Sequence, residues 1–302
     1  MIPRLDAKLL EQNDAETLRQ LREAATEIGF FTIFNTELAP TRMREVLAQY
    51  RKFFLLPDAE KAAINMVNTG ANRGWGASGS EQVDPEANPD FKQVFDIGFT
   101  LSADDPRRDL PVYAPNQWPE FLPGFQQEIE KYFNEARGVA MRLLRGIALS
   151  IDAPDDYFDS SFETPMALLR GNFYPARPAW ATERDFGTAT HTDYGCLTLL
   201  ATEGGPGLEV RKRGGGWIPV SAPPGEFVIN FGEMMEIWTD GLVRATPHRV
   251  IGTDNERISI PLFFNPSFET NIAPRGSGQL LQAGEHLSRR FSETYVHLQK
   301  QD

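Results

Sequence analysis

After Phe162 the apolar residues stop recurring at helical spacing and begin to alternate with a period of two. Seven short runs then follow: Ala167–Tyr174, Cys196–Ala201, Leu208–Arg211, Trp217–Val220, Glu226–Phe231, His248–Ile251 and Arg257–Phe264. Turn residues separate them, among them Gly204-Gly205-Pro206-Gly207, Gly214-Gly215-Gly216 and Pro223-Pro224-Gly225. Each run is too short to bury itself, so the strands must close into an antiparallel sandwich or barrel.

The first half reads differently. Leu18, Leu21, Ala25 and Ile28 keep helical spacing over Asp14–Ile28, and Gly29 stands where a C-cap belongs. The run Phe30-Phe31-Thr32-Ile33-Phe34 is a buried strand, and a second helix starts near Pro40. Loops around the strand-like Gln93–Phe99 fill the stretch from Asn65 to Pro119. A long helix spans about Pro123 to Ile151, its stripe running from Phe125 through Tyr132, Ala140 and Ile147. The last helix is expected over Ser288–Gln299. With no internal repeat and no flexible linker, the 302 residues read as one integrated unit.

Charge and cysteine usage narrow the function. A formal net charge of −12 repels phosphate backbones and anionic lipid, and no run of basic residues offsets it. Nucleic acid is therefore not an expected partner. Cys196 is the single cysteine, which fits a reducing compartment. The N-terminus lacks the plan of a signal peptide and no apolar stretch is long enough to span a membrane, so the expectation is a cytoplasmic protein.

The chain has four histidines. His286 and His297 fall in or beside the charged C-terminal helix and are expected to be solvated. His191 and His248 lie beside strands. In His191-Thr192-Asp193 an imidazole and a carboxylate two positions apart share one face of an extended chain, and His248 arrives fifty-five positions after Asp193. Two histidines and one carboxylate make the facial triad of non-haem Fe(II) sites, which leaves metal positions open. A zinc hydrolase can use the same ligands. A Ser-His-Asp hydrolase lacks its G-x-S-x-G elbow here. Nine positions past His248, Arg257 and Ser259 share a face of an otherwise apolar strand. A guanidinium buried there needs an anion, and its planar fork suits a carboxylate. Asn172 and Tyr174 offer an amide and a phenol on one face of another strand.

In this order the pieces resemble the iron- and 2-oxoglutarate-dependent oxygenase superfamily, in the branch of isopenicillin N synthase and the plant flavonoid and gibberellin oxygenases. The resemblance runs along nearly the whole chain. It rests on Gly29-Phe30-Phe31, Phe53-Phe54-Leu55-Leu56-Pro57, Arg73-Gly74-Trp75, Phe95-Asp96-Ile97-Gly98 and Asn172-Phe173-Tyr174-Pro175, and then on the His191-Thr192-Asp193-Tyr194-Gly195, Asn230-Phe231-Gly232, Pro247-His248-Arg249-Val250 and Arg257-Ile258-Ser259 segments. Two departures stand out: Thr36 where relatives carry His, and Glu233 where they carry Asp.

The resemblance implies a mainly β fold with supporting helices, a distorted jelly roll (double-stranded β-helix) packed against the long helix. It divides the chain into an N-terminal helical and mixed region, 1–120, and an oxygenase core, 121–302. His191, Asp193 and His248 become the iron ligands. Arg257 and Ser259 become the clamp on 2-oxoglutarate, with Tyr174 and Asn172 contributing hydrogen bonds. Arg73, Trp75, Phe95, Arg170 and Phe264 become candidates for the substrate pocket. The expected cofactors are Fe(II), 2-oxoglutarate and O2, with ascorbate as reductant. The expected activity is oxidation of a small organic molecule, by default hydroxylation, with release of succinate and CO2 by a monomer or weak homo-oligomer. An oxidase of the isopenicillin N synthase type, which spares 2-oxoglutarate, and a non-catalytic binding or sensor module are the alternatives.

Overall fold

The alternating runs of the second half form strands at the expected places, because each pairs one apolar face with one mixed face. The computed structural model describes residues 2–82, 86, 88–182 and 187–294. Its strands are β1 (Arg4–Asp6), β2 (Phe30–Phe34), β3 (Gly74–Gly76), β4 (Gln93–Gly98), β5 (Leu168–Tyr174) and β6 (Thr188–His191), followed by β7 (Leu197–Thr202), β8 (Leu208–Arg211), β9 (Trp217–Val220), β10 (Phe227–Phe231), β11 (His248–Val250) and β12 (Arg257–Phe264). The helices are α1 (Ala7–Glu11), α2 (Ala15–Glu23), α3 (Pro40–Phe54), α4 (Asp58–Lys61), α5 (Phe125–Ser150), α6 (Glu233–Trp238) and α7 (Ala283–Thr294).

Two sheets result. The larger runs β1-β2-β10-β7-β12-β5-β4-β3 and the smaller β6-β11-β8-β9. All pairings are antiparallel except β1 with β2. Strands from the first hundred residues thus close both edges of the larger sheet. Between the sheets, Phe30, Tyr174 and Val228 of the larger one pack with Leu208, Val210, Val220 and Val250 of the smaller. The outer face of the larger sheet is covered by the helices. Buried Phe125, Ile129, Tyr132, Ala136, Ala140, Leu143 and Ile147 line one side of α5. At roughly 1.5 Å per residue, the 26 residues of α5 reach across the strands behind it.

Pleating decides what each strand shows the interior. On β12, Ile258, Ile260, Leu262 and Phe264 point into the helix-covered core, whereas Arg257, Ser259, Pro261 and Phe263 face the space between the sheets. On β5, Leu169 and Phe173 join the core, while Leu168, Arg170, Asn172 and Tyr174 face inward with the β12 set. Gly171 sits where a Cβ would meet the Tyr50 ring at 2.2 Å, so α3 packs this closely only against glycine.

The last helix begins at Ala283, five residues before the expected start, and the expected end at Gln299 lies outside the described residues, as does His297. Among the described residues, no helix is long and apolar enough to cross a membrane.

Candidate active site

β6 and β11 bring His191 and His248 together as direct cross-strand partners, with ring centroids 4.3 Å apart. The turn after β6 carries Asp193 back between them. Asp193 Oδ1 lies 3.6 Å from Nε2 of each histidine. The three ligand atoms fall within 4.8 Å of one another.

Each group is held in the form that binds a metal. Nδ1 of His191 is 2.8 Å from the Ala189 carbonyl and Nδ1 of His248 is 3.1 Å from the Thr246 carbonyl. A carbonyl oxygen only accepts, so both Nδ1 atoms carry the hydrogen and both Nε2 lone pairs face the centre. Burial pushes the His248 imidazole down to about 4, helped by His191, which keeps it neutral at physiological pH. Burial alone would lift the Asp193 carboxyl, but the neighbouring imidazoles and the Thr198 hydroxyl hold it well below the usual carboxylate range. Its other oxygen, Oδ2, accepts from Thr198 Oγ1 at 2.5 Å and from Asn230 Nδ2 at 2.6 Å. Two neutral nitrogens and one anionic oxygen, oriented by hydrogen bonds, fit a divalent cation with open positions.

The triad opens on a cavity between the sheets. Arg257 lines it from β12 directly opposite Tyr174 in the β5 register, with its guanidinium 4.3 Å above the Tyr174 ring. Its Nε and one terminal nitrogen are buried and have no hydrogen-bond partner among the described residues. Burial lowers the guanidinium's pKa, opposed by Tyr174 and Glu203. Unpartnered buried donors of this kind are costly unless an anion completes them. The next pair in the register, Ser259 and Asn172, is joined by a 3.2 Å bond from Asn172 Nδ2 to Ser259 Oγ. A guanidinium, a hydroxyl and a metal triad on one cavity fit a ligand that chelates at one end and carries a carboxylate at the other.

Residues 2–121 match the N-terminal family model described as non-haem dioxygenase in morphine synthesis, and residues 165–266 match the 2OG-Fe(II) oxygenase superfamily. A homoarginine-6-hydroxylase from Glycine max is 32% identical over 97% of this chain and 94% of its own. The chain belongs to the 2-oxoglutarate–Fe(II) oxygenase superfamily. Another homoarginine-6-hydroxylase, from Oryza sativa subsp. japonica, is 30% identical to this oxygenase over 96% of the chain and 93% of its own. The full-length Neurospora crassa protein solved with α-ketoglutarate and thymine superposes with a TM-score of 0.85 at 27% identity, covering 97% of this chain and 96% of that one. The structure of JOX2 with 2OG, Fe and JA superposes with a TM-score of 0.81 at 26% identity, covering 98% and 88%. The oxygenase is thus a non-haem Fe(II)/2-oxoglutarate-dependent dioxygenase with the double-stranded β-helix fold of its neighbours.

The expected pocket residues divide. Arg170 lines the cavity. The other four do not. Arg73 is buried and clamps loops, donating to the carbonyls of Ala114, Asn72 and Val112. Trp75 donates to Gln93 Oε1 on the neighbouring strand, and Phe95 is enclosed by Tyr50, Phe53, Trp118 and Phe125. Phe264 packs on Phe162 in the core, and Phe263 takes the cavity position because pleating alternates the faces. His286 is buried rather than solvated, 3.1 Å from the Tyr194 carbonyl, because α7 folds down over the cavity.

Thr198, Asn230, Glu81 and Lys92 line the site without having been singled out for a role. Only Asn230 carried a signal, as the first residue of its Asn-Phe-Gly segment. Glu233, the residue that departs from the family pattern, accepts from Thr192 Oγ1 at 2.7 Å and from Arg290 at 3.1 Å, tying α7 to the turn between the metal ligands.

Proposed function

We propose that His191, Asp193 and His248 hold Fe(II), that Arg257 and Ser259 hold the distal carboxylate of 2-oxoglutarate, and that the oxygenase hydroxylates a small organic molecule. The observation that carries this is the buried Arg257 guanidinium, with two nitrogens lacking a hydrogen-bond partner among the described residues, on the cavity that also holds the triad. Tyr174 supports the guanidinium from below with its ring, and Asn172 acts through Ser259, orienting the hydroxyl. When bound, iron and 2-oxoglutarate supply the oxidising chemistry, taking up O2 and giving succinate, CO2 and one oxygen atom for the substrate. The protein binds, orients and excludes water: Leu200, Leu208 and Val250 on one part of the wall and Leu168, Phe263 and Phe291 on another are apolar. The homoarginine-6-hydroxylases among the relatives make a basic amino acid the first compound to try.

In the same reading, the order of the motifs supports membership of the isopenicillin N synthase-like branch, with residues 1–120 as an N-terminal region integrated with a 121–302 core. The single cysteine and the net charge of −12 support a cytoplasmic protein, monomeric or weakly homo-oligomeric, that does not bind nucleic acid.

The experiment is an anaerobic Fe(II) titration with and without 2-oxoglutarate, watching for the weak visible charge-transfer band of the chelate, followed by addition of oxygen and ascorbate. Slow succinate formation without added substrate, lost in His248→Ala, is the expected result. An enzyme that binds the keto acid yet forms no succinate across a broad metabolite panel is instead an oxidase or a binding module.

A further inference from the structure

Leu168, Leu287 and Phe291 border two spaces. They line the main cavity and also a smaller recess that adjoins it. The β12–β5 ladder fixes where the recess lies. Arg257 pairs with Tyr174 at one end of that ladder, and Phe263 pairs with Leu168 at the other. Six residues of strand at about 3.3 Å each put the two ends roughly 20 Å apart. The arginine clamp and the recess are therefore at opposite ends of the ladder, and the recess is at the end left for the substrate.

Asn72 and Arg73 supply the polar part of the recess wall, and its other lining residues are apolar, Val112 and Met166 among them. It is narrow, with room for about one small polar group. Arg73 is committed: its three nitrogens donate to the carbonyls of Ala114, Asn72 and Val112, and its charge acts on Asp96. The Asn72 amide is not. Asn72 is 4% exposed, and neither its Oδ1 nor its Nδ2 has a hydrogen-bond partner among the described residues. A buried amide without partners costs free energy at both atoms, and a ligand that supplies both bonds recovers it.

Resting on the functional reading above, we propose that Asn72 reads the end of the substrate remote from 2-oxoglutarate, and that this end is a neutral group that both donates and accepts, the chemistry shared by a primary carboxamide and a hydroxyl. Nδ2 donates to the oxygen of such a group, and Oδ1 accepts from its N–H or O–H. A carboxylate meets Nδ2 alone and an ammonium meets Oδ1 alone. Each leaves half of the amide unpaired and carries a charge into a mostly apolar recess, where its desolvation is not repaid. A site built to hydrogen-bond its substrate rejects analogues for this reason.

The test uses enzyme loaded anaerobically with Fe(II) and 2-oxoglutarate, with binding read by calorimetry. The probes are hexanamide, hexanol, hexanoate and hexylammonium, with their shorter and longer homologues. At the chain length that reaches the recess, the amide and the alcohol should bind about 30-fold tighter than the two charged members, the combined effect of two buried hydrogen bonds. Asn72→Leu, of similar shape, should bring all four to within about threefold. Asn72→Asp leaves only acceptors and should move the preference to the ammonium, a reversal that a merely structural residue does not give. Asn72→Leu carries the test if the aspartate variant does not fold. Urea unfolding of the full chain is the second measurement: with no protein partner to lose, Asn72→Leu should leave the midpoint unchanged or raise it. A lowered midpoint means that the amide serves the fold through an internal water, and overturns the proposal. So does charged members binding as tightly as neutral ones, failure of every neutral probe to bind, or a preference that survives Asn72→Leu. An absent chelate band in the wild type overturns the functional reading with it, while an intact band without the neutral preference overturns this inference alone.

Discussion

Asn230 and Thr198 face each other across the β10–β7 ladder, and both donate to the same oxygen, Asp193 Oδ2. Two neighbouring strands of the larger sheet thus fix the carboxylate whose other oxygen meets the imidazoles of the smaller one. Asn230→Ala removes one donor from a buried carboxylate, and loss of such an orienting partner typically weakens metal binding by about 10- to 100-fold. Fe(II) or Mn(II) titration should show that loss, while Asp193→Ala should abolish stoichiometric binding. Asp193→Glu should also be harmful, since the added methylene moves the oxygen away from both donors. Full iron occupancy in Asp193→Ala would refute the ligand assignment.

Arg257→Ala should weaken 2-oxoglutarate binding by roughly 30- to several-thousand-fold, the usual cost of truncating one side of a buried charge pair. Arg257→Lys should recover only part, because an ammonium cannot reproduce the planar fork. Gly207 gives an independent check. It adopts φ +131°, and a Cβ there would approach the Arg257 guanidinium to 2.8 Å. Gly207→Ala should therefore raise the Kd for the keto acid by about tenfold, roughly 1.4 kcal/mol. Unchanged affinity in Arg257→Ala would mean that the arginine is structural.

Adjacent phenylalanines on β12 should separate binding from stability. Phe264→Ala empties a core position and should cost about 3–5 kcal/mol in denaturant unfolding. Phe263→Ala should act mainly on the KM of the substrate, because its ring borders the cavity. Arg73→Ala, which strands three carbonyls, belongs with Phe264. A reversed pattern would mean that the two faces have been interchanged.

The strands were legible because large apolar residues alternate along them, and the ligand triad because two positions of extended chain return to one face. β6 was not, since Thr188, Ala189 and Thr190 offer no large apolar side chain to alternate. The pocket wall was harder still. Both faces of β12 are apolar near Phe263 and Phe264, so composition could not say which looks inward. Arg73 and Arg170 look alike in sequence. Their roles depend on distant partners: loop carbonyls for one, and for the other an Asp96 that reaches it only through the β4–β5 ladder.

His286 ties stability to acidity. Burial holds its imidazole below the ordinary 6.5, with Arg289 and Arg290 adding to the effect and the Tyr194 carbonyl and Glu233 opposing it. Below pH 6.5 the unfolded chain takes up a proton that the folded one resists. Stability is therefore unaffected by this group above 6.5 and falls as the pH drops toward the folded value. Unfolding of the apoprotein at pH 7 and pH 5.5 should show the loss, and His286→Gln should reduce it. An identical slope in the variant would remove His286 from the account.

The pairing of β6 with β11 contains one irregularity: His191 faces His248 and Thr188 faces Val250, so β6 carries one residue more than its partner over that span. The extra residue acts as a spacer that sets which way His191 looks. Substitutions at Ala189 or Thr190 would leave the count intact. Deleting either would restore an even ladder and turn the imidazole to the other side of the pleat. This short stretch should therefore accept substitution at the half-buried Thr190 but no change of length, a pattern opposite to that of an ordinary surface loop.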